Sequence, residues 1–75
     1  MINKQQERQV RGISRFLRAI YEGDIPACAT IVTAEAEILA GRDIDKNIDT
    51  MIKALDVVRE CCSDGIAKLK LIKGE

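Results

Sequence analysis

Histidine is missing from this sequence altogether, and with it go the commonest general base and the commonest zinc ligand. Without it no triad of the Ser-His-Asp or Cys-His kind can be assembled. Tryptophan is absent too, and a single Phe and a single Tyr are the only aromatics. A core must therefore come from Ile, Leu, Val, Ala and Met. Neither a GxGxxG nor a GxxxxGK[ST] string occurs, so no glycine-rich loop is available to cradle phosphate. No stretch approaches the roughly 18 consecutive apolar residues of a membrane span, and the N-terminus lacks the apolar run of a signal peptide. Net charge is lacking as well: 12 basic side chains cancel 12 acidic ones, leaving no global field towards nucleic acid or an anionic membrane. These absences predict a cytoplasmic protein that is not an enzyme and carries no cofactor or metal.

Cysteine is present, but in a pattern that argues against a framework. Cys28, Cys61 and Cys62 form an odd set, and the adjacent two cannot readily adopt disulfide geometry with each other. None of the Cys-x-x-Cys spacings of a structural zinc site occurs. The expectation is reduced thiols serving as small apolar residues.

The 75 residues make one domain, 1–75, with 47% apolar content. A domain this short buries only about 60% of the surface its unfolded chain exposes. Self-association is a common way to gain more, so a homodimer is expected.

What the chain does have is segregated charge. Residues 1–22 carry five basic and two acidic side chains, a balance of +3; residues 23–65 carry four and nine, −5; residues 66–75 carry three and one, +2. The first block owes its sign to Lys4, Arg8, Arg11, Arg15 and Arg18. At about 100° per residue these five fall within an arc of about 80°, while Val10, Ile13, Phe16, Leu17 and Ile20 gather on the other side. One helix thus bears a core stripe and a cationic stripe. Guanidinium groups pair bidentately with carboxylate or phosphate, so the stripe suits an acidic protein face or a nucleic-acid backbone.

Helix punctuation divides the chain in three. The first helix is predicted from Ile2 or Asn3 to Glu22, with Gly23 ending it in a left-handed conformation; its first turns, rich in Gln, have little to bury. Gly12 either admits a neighbouring helix or is simply tolerated. Asp24 and Pro26 then suit a helix start, giving a second helix to about Ala40 with Cys28, Ile31, Val32, Ile38 and Leu39 as its apolar face. Glu35 falls near the middle of that face. It is expected at a rim position or in a salt bridge to an arginine of the first helix, with a buried, proton-transferring acid as the remote alternative.

Asp43 is the predicted N-cap of the third helix. Ile44, Ile48, Met51, Leu55, Val58 and Cys62 follow at alternating spacings of four and three, a heptad seam that runs on to Leu69 and Ile72. Ile48, Met51, Leu55 and Val58 are candidates for core or for an oligomer interface. Ser63, Asp64 and Gly65 are stop signals, predicting an end or kink near Cys62 and a short further helix from Ile66 to about Lys73. The alternation of that last segment also fits an edge strand, which would need a second chain. Asp45, Asp49, Asp56 and Glu60 lie within about 60° of one another on the wheel, an acidic face able to answer the arginines within the bundle or across a dimer. Asp43, Asp45 and Asp49 lack the glycine and closing glutamate of a calcium loop.

The fold class predicted is all-α: a small antiparallel three-helix bundle with short loops and a short C-terminal helical extension. The expected function is that of a non-enzymatic interaction module, a small regulatory, adaptor or inhibitory protein occupying a partner's surface. Its alternative is a nucleic-acid-binding module using the basic face of the first helix.

Overall fold

The computed structural model describes residues 2–74 and contains three helices, α1 (Lys4–Ile20), α2 (Ile25–Leu39) and α3 (Ile44–Lys73). The protein is an all-α bundle, and no strand occurs among the described residues. The region 66–73 belongs to a helix.

Each boundary has a local cause. At the start of α1 the Asn3 side chain accepts from the Gln6 N–H at 2.8 Å while the Gln6 side chain accepts from the Asn3 N–H at 3.0 Å, a reciprocal capping box. The glutamine-rich first turn is thus held by its own polar groups. Gly23 has no left-handed backbone, contrary to expectation: α1 ends at Ile20, and Tyr21 caps it, its carbonyl accepting from the Asp24 N–H at 2.8 Å. Asp24 caps α2 as predicted, its carboxylate accepting from the Ala27 N–H at 3.1 Å. At the other end of α2, Arg42 N–H reaches the Glu37 carbonyl and Gly41 N–H the Ile38 carbonyl, with Gly41 at φ +76°. That is a Schellman closure, and it requires the left-handed glycine. The Arg42 side chain then folds back, with Nε and Nη2 each 3.0 Å from a Glu37 oxygen. Those hydrogen bonds hold the Glu37 carboxyl below its ordinary value.

Asp43 occupies the cap position of α3 but does not cap it with its side chain. Its backbone is left-handed, φ +46°, ψ +46°, which turns the carboxylate away from the first N–H groups. Asn47 stitches the junction instead, donating from Nδ2 to the Asp43 carbonyl at 3.0 Å and to the Arg42 carbonyl at 3.3 Å.

The predicted break near Cys62 is not there. α3 runs unbroken for 30 residues to Gly74, which closes it at φ +89°. Ser63, Asp64 and Gly65 each lower helix propensity, but none lacks an N–H, so none forces an end. An Asp64–Lys68 ion pair of 2.8 Å at i,i+4 spans the glycine. The extension is the second half of one helix.

The core is small. Leu17, Ile31, Ala34, Ile38 and Met51 are buried, with Val10, Tyr21, Ile48, Leu55 and Val58 packed half-buried around them. Helix α2 lies between the other two and packs on both, whereas α1 and α3 meet over a short distance. Tyr21 fixes that meeting by donating its hydroxyl to the Ala54 carbonyl at 3.0 Å. Val32, predicted to face inward, is 45% exposed, and Cys28 is half-buried with its thiol donating to the Tyr21 carbonyl at 3.1 Å. Gly12 is tolerated rather than used: an added Cβ would meet nothing within 4 Å.

Candidate interaction surfaces

Lys4, Arg8, Arg11, Arg15 and Arg18 are all exposed along one flank of α1. Of these, Arg18 alone is answered by a carboxylate among the described residues, its Nη2 lying 3.7 Å from Oε1 of Glu35 on α2. This is the helix-one salt bridge expected of Glu35. With the arginine 43% exposed and the geometry loose, the pair is worth no more than about 1 kcal/mol. Arg18 also donates from Nε to the Ser14 carbonyl at 3.4 Å. For Lys4, Arg8, Arg11 and Arg15 no carboxylate of the described residues comes within ion-pair distance.

The acids of α3 do not meet that stripe. Asp45, Asp49 and Glu60 form no ion pair among the described residues, and Asp56 is held by Arg59 of its own helix at 2.7 Å. The reason is rotational. Positions 10, 14, 17 and 21 of α1 point inward, which leaves the cations on the α2 side, beside Glu35, and turns Ile13, Phe16 and Ile20 outward on the opposite side. The two charged faces therefore look away from each other.

Two apolar hollows complete the surface. One of about 240 Å³ lies between α1 and α3 and is lined by Val10, Ile13, Ile48, Met51, Ile52 and Leu55 together with Ile2 and two glutamines. A second, of about 390 Å³, lies where α3 leaves the bundle, lined by Ile20, Tyr21, Val57, Val58, Cys61 and Cys62. The candidate seam divides accordingly. Met51 is buried, Ile48, Leu55 and Val58 are half-buried as core, and the continuation through Cys62, Leu69 and Ile72 is exposed. No sequence signal separated the used half from the unused half, because heptad spacing is the same along both.

Among the described residues no group of three or more His, Cys, Asp or Glu side chains is placed to hold a metal ion, and no helix is long and apolar enough to cross a membrane. Comparison with known proteins adds nothing further. No family model matches this chain, and no curated protein or solved structure does either.

Proposed function

We propose that this chain is a non-enzymatic, cytoplasmic interaction module, a small regulatory or adaptor protein that docks onto an acidic surface of another protein through the cationic flank of α1. The observation that carries the reading is that Lys4, Arg8, Arg11 and Arg15 stand exposed in a row with no carboxylate among the described residues to answer them. Like charges at i,i+3 and i,i+4 cost a helix about 0.2–0.5 kcal/mol per pair, a cost that an external anionic partner would offset. Bidentate guanidinium–carboxylate contacts would fix the orientation of that partner.

Nucleic acid suits the flank less well. The two aromatics are not interleaved with it: Phe16 lies on the opposite side of α1, and Tyr21 is bonded inward to Ala54. The acidic face of α3 would also repel a polyanion wrapping round the bundle.

Affinity purification from the native cell with the wild-type chain, then with Arg8→Ala/Arg15→Ala, tests the reading. An acidic protein retained by the wild type and released by the double variant or by salt is the expected result. A nucleic-acid duplex or single strand bound with a steep salt dependence, flattened in the double variant, would replace this reading with the nucleic-acid one.

A further inference from the structure

The 30 residues of α3 extend for about 45 Å at 1.5 Å per residue, against about 25 Å for the 17 residues of α1. The end of α3 therefore stands clear of the bundle. The radius of gyration, 15.0 Å, exceeds the roughly 11 Å of a compact chain of this length. The overhang is not polar. Ile66, Leu69, Leu71 and Ile72 are 54–83% exposed, and Leu69 and Ile72 prolong the same heptad seam that packs as core at Met51, Leu55 and Val58.

We infer that the overhang is half of an interface whose other half is a second copy of this chain. The α3 helices of the two copies pack antiparallel and cross near Ser63 and Asp64, so that Leu69 and Ile72 of each copy enter the apolar hollow at the base of the other's overhang, beside Ile20, Val57 and Val58. Three observations select this occupant. The seam is continuous with the core and, in antiparallel a-to-d layers, self-complementary: Gly65 meets Cys62, Leu69 meets Val58, and Ile72 reaches the Ile20 and Tyr21 end of the hollow. Gly65 and Cys62, small residues on the seam, fall at the crossing and admit close approach of the two backbones. Charge agrees as well: the antiparallel order lays residues 66–72 of one copy, with Lys68 and Lys70, along residues 55–61 of the other, whose Asp56, Arg59 and Glu60 sum to −1. A parallel pairing would set lysine against lysine.

This inference rests on reading the chain as an interaction module and names the occupant of a surface separate from the α1 flank. Sedimentation at micromolar concentration is expected to give twice the 8.3 kDa chain mass for the wild type. Leu69→Glu/Ile72→Glu is expected to give the single-chain mass with an unchanged helical circular dichroism spectrum, because both side chains are exposed within one copy. A wild-type monomer, or a double variant that stays dimeric, overturns the proposal. Spin labels in a Cys28→Ser/Cys61→Ser/Cys62→Ser background then test the direction. Antiparallel packing places labels at Leu71→Cys more than about 20 Å apart along the axis and labels at Ser63→Cys side by side. Equal short distances at both sites indicate a parallel pair and overturn it too. The α1 flank reports separately: retention of an acidic protein sensitive to Arg8→Ala/Arg15→Ala in a monomeric wild type would leave the module reading standing while this one fails.

Discussion

At the scale of single residues, the least expected feature is Ser14. It is completely buried against the core, and its hydroxyl has no hydrogen-bond partner among the described residues. A buried hydroxyl left unsatisfied costs about 1–3 kcal/mol. Serine also has lower helix propensity than alanine. Ser14→Ala is therefore expected to stabilise the protein by about 1 kcal/mol, read as a rise in the urea midpoint without change of slope; a loss of stability would mean that the hydroxyl has a bound partner. Asp43 teaches a related lesson. Asp is a good residue for a cap, but its left-handed backbone takes its carboxylate out of reach and leaves the junction to Asn47. Residue type predicted the position of the cap and missed its chemistry, because the chemistry depends on a dihedral angle imposed by the Gly41–Arg42 turn.

At the scale of elements, α3 is where local and longer-range signals competed. Three weak helix breakers in a row predicted an end, and the heptad spacing predicted continuity. Continuity won because the penalties are small. Glycine costs about 1 kcal/mol relative to alanine, whereas proline, which would cost about 3, is absent from the segment. Gly65 has no left-handed backbone, and a Cβ placed on it would meet nothing within 4 Å of the single copy. Gly65→Ala is expected to raise helical content and to add about 0.5–1 kcal/mol of stability in the monomeric Leu69→Glu/Ile72→Glu background, measured by thermal melts followed by circular dichroism. A break at that point would instead make the substitution silent. In α1 the amphipathic pattern was legible, but its true inward direction was not. The wheel put Val10, Ile13, Phe16, Leu17 and Ile20 on the apolar side; Val10 and Leu17 do pack inward, but packing on α2 and α3 turned the helix towards Ser14 and Tyr21 and away from Ile13, Phe16 and Ile20. That rotation exposed three large apolar side chains and carried the arginines away from the acids of α3.

At the scale of the whole molecule, stability rests on few groups. Domains of this size hold together with roughly 0.05–0.15 kcal/mol per residue, so about 4–11 kcal/mol here. Met51 is the one buried side chain that α3 contributes to the core. Met51→Ala is expected to cost about 2–5 kcal/mol and to unfold much of the population at physiological temperature, as circular dichroism would show. A loss below 1 kcal/mol would mean that α3 is held mainly by something other than this core. The elongated form, 50 × 25 × 17 Å, follows from the same economy, because two short helices cannot cover one long one.

The amino-acid sequence by itself determined the helical class, the first two segments and the start of the third, the Asp24 cap, the cationic stripe and the heptad spacing of α3, since each is set by neighbours within a turn or two. Only the tertiary structure decided which way each helix faces, which half of the seam is core, and that the arginines and the α3 acids do not meet. Those outcomes depend on how α2 packs against both neighbours at once, and no local pattern encodes the angle at which it does so.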